Sequence, residues 1–188
     1  MEDVYKNCPI YEDKDYTLRL VRLEDKVDLL KVYSDEKAIP FFNGDNCGGD
    51  AFHYTTDNRM EQAIEFWLWE YSRQGFVRWT IASKAAHEAI GTKELFHTEG
   101  GGYFTNCGIL RLDIRSDHEI QSEIIQILAL IIEPTYTLFH CNKIATKAIA
   151  LATERIKALH ILGFEPTDEK LVGHDGTKYD SYFVVKKN

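Results

Sequence analysis

The chain has 188 residues, a formal net charge of -8, 44% hydrophobic and 28% charged residues. That length suggests one domain with enough chain to bury a sizeable core, in the composition range of soluble globular proteins. The acidic balance argues against nonspecific binding to nucleic acid or anionic lipid, which needs clustered Lys and Arg, and is compatible with a cationic acceptor such as an amine. The four cysteines (Cys8, Cys47, Cys107 and Cys141) form no Cys-x-x-Cys pair, so reduced thiols are expected. No metal site is expected, because Cys47 with His53 is a poor match to zinc-ligand spacing. The N-terminus is charged, without the apolar core of a signal peptide, and the greasiest run, 124–132, is too short to span a bilayer. A cytoplasmic location and no membrane partner follow as expectations.

In chain order, residues 1–14 read as a polar surface arm. Alternation of Leu18 and Leu20 with Arg19 predicts a strand over 16–22. A helix over 23–34 follows, with Glu24 and Asp25 in its first turn complementing the helix dipole. A short helical piece at 35–39 is expected to end at Pro40. The stretch 41–56 mixes Gly44, Gly48 and Gly49 with Asp and Asn. It reads either as a plain connector or as a substrate-facing lid carrying Phe52, His53 and Tyr54. Residues 56–75 predict a helix capped by Thr56 or Asp57 and stopped by Gly75. Its apolar stripe comprises Ala63, Ile64, Trp67, Leu68 and Tyr71, and Phe66, Trp67 and Trp69 are expected in the core.

Alternation then predicts strands over 76–83 and 89–97, joined by a turn at 84–88, and a further strand over Cys107–Ile114. The glycines Gly100, Gly101 and Gly102 read as a flexible hairpin tip. Apolar spacing predicts one helix over 120–137 that Pro134 bends or ends. A strand over 142–150 and a helix over 153–162 follow, the helix with Thr153 as cap and Gly163 as its left-handed stop. A hairpin of 170–173 with 178–187 closes the chain, with Asp175-Gly176 as its turn. The residues alone give an α+β domain with a mixed sheet.

Several of these stretches resemble the GCN5-related N-acetyltransferase (GNAT) family. They are 16–22, the hairpin from Trp79-Thr80-Ile81 to Ile90-Gly91-Thr92, the strand 108–114, and the helix from Glu154 leading to Leu162-Gly163-Phe164. Leu-Arg-Leu-Val-Arg and Ile-Gly-Thr are similar to the branch that includes ribosomal-protein alanine N-acetyltransferases. The resemblance spans about 16–185 and implies a mostly antiparallel mixed sheet flanked by helices, splayed between its fourth strand (107–114) and fifth strand (142–150). It also implies transfer of an acetyl group from acetyl-CoA to a primary amine, small molecule or peptide, by direct attack, with room for a homodimer. The rival function is a non-catalytic protein of the same fold that binds a ligand or peptide and has lost acetyl-CoA.

The resemblance places the pantetheine arm against Leu112, Asp113 and Ile114, and the pyrophosphate at Arg115, His118, Glu119, Ile120, Gln121 and Ser122, near a helix N-terminus. The family's loop reads Gln/Arg-x-x-Gly-x-Gly/Ala, yet no glycine lies between Gly108 and Gly163 here. Asp117 and Glu119 add negative charge where a pyrophosphate would sit, a cost on the order of 1–4 kcal/mol for a like-charge pair at contact range. Where many members carry a Tyr general acid, this chain has Leu159. Proton handling falls to Glu94 and Asp113, each of which also reads as an outward-facing strand carboxylate. Arg111 and Asp113 share one face of the strand, so a simple cross-strand ion pair would also explain Asp113. His53, Tyr54 and His97 are the candidates to line the acceptor side.

Overall fold

The structure is a computed structural model and describes residues 3–98 and 102–187. Short β1 (Tyr11–Glu12) pairs with β2 (Tyr16–Leu20), and α1 (Lys26–Tyr33) follows a 3-10 turn at Leu23–Asp25. The helical piece expected at 35–39 is instead a 3-10 turn at Ile39–Phe41, with Pro40 near its start, where a missing N–H costs nothing. Helix α2 (Asp57–Ser72) begins where expected: the Thr56 side chain accepts from the Arg59 amide. Its stop differs from expectation, because Gln74, not Gly75, takes the left-handed backbone (φ 64°).

The central strands are β3 (Val77–Ser83), β4 (Glu88–Thr98) and β5 (Cys107–Ile114). Gly100 and Gly101 of the expected hairpin tip lie outside the described residues, as do Met1 and Glu2 of the arm. The helix expected over 120–137 is two: α3 (Gln121–Ala129) and α4 (Ile132–Leu138). The apolar repeat runs through the break because both helices bury Ile and Leu in one core. Pro134 neither bends nor ends a helix; it sits in the first turn of α4, where no intrahelical donor is needed. Then come β6 (Lys143–Lys147), α5 (Thr153–Ile161), β7 (Glu165–Pro166), β8 (Leu171–Val172), β9 (Lys178–Tyr179) and β10 (Tyr182–Lys186). Gly163 takes the left-handed stop (φ 84°), whereas Thr153 starts α5 without capping it.

The main sheet runs β1-β2-β3-β4-β5-β6-β10-β7, and β8 pairs with β9 apart from it. The closing hairpin expected at the C-terminus is therefore divided, with β10 joining β6 in the main sheet. All main-sheet pairings are antiparallel except β5 with β6, which are parallel from Cys107↔Lys143 to Leu110↔Thr146. From Arg111 to Ile114, β5 keeps its β4 partners and has no β6 partner. The sheet is mixed, mostly antiparallel, and splayed between β5 and β6. Gly91 lies opposite Ile114 at the foot of this splay. A Cβ there would overlap the Asp113 carbonyl and come within 2.9 Å of the Ile114 Cα.

Alternation gives the central strands two unlike faces. Trp79, Ile81, Leu95, Leu110, Leu112 and Ile114 join α3, α4 and α5 in the larger apolar core. Arg78, Thr80, Thr92, Glu94, Arg111 and Asp113 are buried too, as a continuous polar layer. Tyr33 of α1 and Trp67 of α2, buried in a second, aromatic-rich core, meet that layer at Arg78. The charged exception on the apolar face is Lys93, fully buried, with its Nζ 4.4 Å from the Trp79 ring and no hydrogen-bond partner.

Candidate functional site

The polar layer forms the floor of a cleft of about 460 Å³ between α2, the 43–54 loop and the sheet. Register places Arg78, Glu94 and Arg111 side by side on β3, β4 and β5. Glu94 accepts from Arg78 Nη2 and, at 2.7 Å, from Arg111 Nη1. Burial would raise the Glu94 carboxyl; the two guanidiniums outweigh that and hold it below the usual carboxylate range. One row along, Asp113 Oδ2 accepts from Tyr33 OH at 2.9 Å and Arg78 Nη1 at 3.1 Å, while its Oδ1 is buried without a partner. Burial dominates there, so the Asp113 carboxyl is raised despite Arg78 and Tyr33. Neither carboxylate faces outward; Asp113 does make a cross-strand ion pair, with Arg78, and Arg111 pairs with Glu94. Two acids joined through one guanidinium are thus biased in opposite directions.

The 41–56 stretch, read either as connector or as lid, lines the cleft with residues within 46–54. Asp45 anchors it, accepting from Lys147 Nζ at 2.7 and 2.8 Å and Tyr182 OH at 3.0 Å, while its carbonyl takes Arg111 Nη2 at 2.6 Å. Tyr54 lines the cleft, stacked on Tyr33 at 5.3 Å and bonded to Asp50. His53 is exposed and not part of the lining. His97 lies elsewhere, in a second hollow beside Tyr5 and His140, with its Nε2 3.0 Å from Asn106 Oδ1. Of the acceptor-side candidates, Tyr54 alone shares the cleft with Glu94. Within α2 the expectation of three core aromatics is corrected: Trp67 is buried under Arg78, whereas Phe66 and Trp69 are 51% and 52% exposed.

The groove side of β5 is differently furnished. Arg155 of α5, 2% exposed, reaches into the splay. Its Nη1 donates to the carbonyls of Leu112 and Phe41, both at 2.9 Å, and its Nε and Nη2 clamp the Glu119 carboxylate at 2.8 and 2.7 Å. Asp117 is held by Arg115 at 2.7 and 3.1 Å, and His118 Nδ1 lies 2.7 Å from Glu123. The negative charges foreseen in this loop are each matched by an arginine. The amides are also in use: Glu119 and Ile120 donate to Ser116 and His118 carbonyls, and Gln121, first residue of α3, donates to Glu154 at 3.4 Å. Ser122 is exposed one residue further on, and no acceptor is recorded for its amide among the described residues. Ile114 is buried against Gly91, and Leu159 is fully buried in the core.

Sequence reasoning missed Arg155, though its signal was present. Arg155, Ala158 and Leu159 occupy one stripe of α5 at i, i+3 and i+4, so an arginine stands at a core position. Arg78 was legible in the same way, as a charge inside a strand that also carries Trp79 and Ile81.

An open cleft and a splayed strand pair on either side of β5 invite comparison with solved structures. Ribosomal-protein-S5-alanine acetyltransferase from Vibrio fischeri superposes with a TM-score of 0.68 at 15% identity, over 95% of this chain and 96% of that one. An acetyltransferase of the GNAT family from Bacillus anthracis gives 0.66 at 6% identity, over 95% and 98%. The chain has the GNAT fold. The microcin C7 self-immunity acetyltransferase MccE, solved with acetyl-CoA and AMP, shares that fold at a TM-score of 0.69 and 12% identity, over 93% and 94%. No protein-family model and no curated protein sequence matches the chain. Among the described residues no helix is long and apolar enough to cross a membrane, and no group of three or more His, Cys, Asp or Glu is placed to hold a metal ion.

Proposed function

We propose that the chain is an N-acetyltransferase that moves an acetyl group from acetyl-CoA to a primary amine. The observation that carries this is the unpaired edge of β5 from Arg111 to Ile114, which opens beside the N-terminus of α3 and backs onto the acid-bearing cleft. An extended arm can pair with such an edge as another strand would. In the reaction, a neutral amine entering from the cleft attacks the thioester carbonyl; the C–N bond forms, the C–S bond breaks, and the thiolate leaves. The protein's part is to align the two reactants and accept the ammonium proton. Glu94, ionised between its arginines, and Asp113 are the groups assigned to proton handling. Acetyl-CoA fits the strand edge, but it meets Arg155 at the Leu112 carbonyl, so that guanidinium must give way.

The same arginine favours a second reading, a ligand-binding protein of this fold whose groove is permanently closed. Titration of acetyl-CoA with thermal unfolding as readout separates the two. At about a hundred times its Kd the cofactor stabilises by roughly 2.7 kcal/mol. No shift at millimolar acetyl-CoA, in wild type and in Arg155→Ala alike, would sink the transferase reading.

A further inference from the structure

The cleft holds three carboxylates in unlike states. Asp50 accepts from Arg59 at 2.7 Å, Tyr54 OH at 2.9 Å and the Phe52 amide at 2.8 Å. Glu94 lies between Arg78 and Arg111. Glu70 has no hydrogen-bond donor among the described residues, and its ion-pair partner is Arg73, 3.9 Å away and 57% exposed. Yet the Glu70 side chain is only 17% exposed. A carboxylate that has lost most of its water without gaining a donor is a strong acceptor left unused.

Its surroundings define what would use it. Phe66 and Trp67, one turn back on α2, and Phe76 at the start of β3 line the same end of the cleft, with Phe66 and Phe76 edge to face at 6.3 Å. Phe66, half exposed, continues outward to Trp69 at 6.0 Å, and the Trp69 ring already carries the Arg73 guanidinium 4.6 Å from its centroid. Aromatic faces attract cations and pack apolar groups, and repel anions. The backbone is shaped to the same end. Gly75 closes the corner, and a Cβ there would overlap the Glu70 carboxylate, with the carboxyl Cδ only 3.2 Å away.

We propose that this corner is a binding site for an organic ammonium: a primary amine attached by a short linker to an aromatic or bulky apolar group. The ammonium pairs with Glu70, and the apolar group lies on the half-exposed Phe66 ring. The assignment of this amine as acetyl acceptor rests on the transferase reading; its binding does not.

The probe is phenethylamine, with 3-phenylpropionate as its anionic counterpart, titrated calorimetrically into the protein without any acyl donor and followed in parallel by tryptophan fluorescence. Saturable binding of phenethylamine is expected, with 3-phenylpropionate weaker by about tenfold or more. Glu70→Gln removes the charge in place. Gly75→Ala moves the carboxylate at little cost to folding, because the group displaced is the end of a flexible side chain and the Gly75 φ is not left-handed. Each variant should weaken phenethylamine about tenfold or more while Tm stays near wild type. The proposal is overturned by no saturable binding at millimolar amine, by equal binding of the propionate, or by unchanged affinity in a folded Glu70→Gln variant. Should the amine bind as described and yield no acetylated product with acetyl-CoA, its assignment as acetyl acceptor fails and the ammonium site stands.

Discussion

On the α1/α2 side of β5 the molecule leaves a cleft whose Glu70 carboxylate has only a long ion pair to Arg73; on the β6 side it leaves a strand edge whose Leu112 carbonyl is already claimed by Arg155. Both regions are built from buried charge, and the difference lies in how it is matched. The groove is internally satisfied: Arg155 with Glu119, Arg115 with Asp117, the Gln121 amide with Glu154. The cleft keeps unmatched atoms, the Nε of both Arg78 and Arg111 among them, and Asp113 Oδ1 is unmatched in the polar layer beside it. A surface that satisfies itself needs no ligand to be stable, whereas one that leaves polar groups short of partners gains from binding. The cleft can thus take a ligand without giving up internal pairs, whereas the groove must exchange internal partners for external ones.

The strongest way to break this comparison is at the arginine the cleft cannot spare. Arg78→Met leaves Glu94 with Arg111 alone and Asp113 with Tyr33 but no cation, and a loss of about 3 kcal/mol or more is expected in urea unfolding at pH 7. A loss below about 1 kcal/mol would mean that the layer is not held by charge pairing. Arg155→Ala should cost about 3 kcal/mol in the free protein, since it uncouples α5 from β5 and leaves Glu119 unpaired. The same variant should gain more stability from CoA than wild type does; a smaller gain would show that Arg155 assists the cofactor instead of blocking it.

Lys93 sharpens the contrast from the opposite face. Its burial lowers its pKa well below the usual lysine value. A folded pKa below the unfolded one means that the unfolded chain binds the extra proton between the two. Stability from this residue therefore rises with pH from its depressed value up to about 10.4. Lys93→Met should stabilise the protein by about 1–2 kcal/mol at pH 7 and flatten that rise, as read by denaturant titrations between pH 7 and 10. The smallest effect is expected for Glu154→Gln, which withdraws a carboxylate from the Gln121 amide. Its readout is CoA affinity by calorimetry, improved about twofold to fivefold. An unchanged affinity would remove α3 from the list of phosphate contacts.

How far this arrangement could be read from the sequence depended on whether the deciding contacts were local. β5 was legible to the residue, and so were the Thr56 cap and the Gly163 stop, because alternation, capping and left-handed backbone are set by neighbours in the chain. The break between α3 and α4 was not, since the apolar repeat is continuous and the register change is dictated by packing. The acids Glu94 and Asp113 were visible, but their partners were not: Arg78 reaches Asp113 across 35 positions, and Arg155 reaches Glu119 across 36. Glu70 gave no sequence signal beyond helical spacing from Phe66; its isolation emerges only when every nearby donor has been placed.

Gly91 has a consequence of its own. It stands opposite Ile114, where β4 and the end of β5 are too close for a Cβ. The width of the splay is thus set on the side of β5 away from the groove, by a missing methyl group. Gly91→Ala would act as a wedge that moves the last two residues of β5 and, with them, the Leu112 carbonyl from the Arg155 guanidinium. The opening of the groove on one side of a strand is then adjustable by a mutation on the other, with neither the cleft nor the groove residues changed.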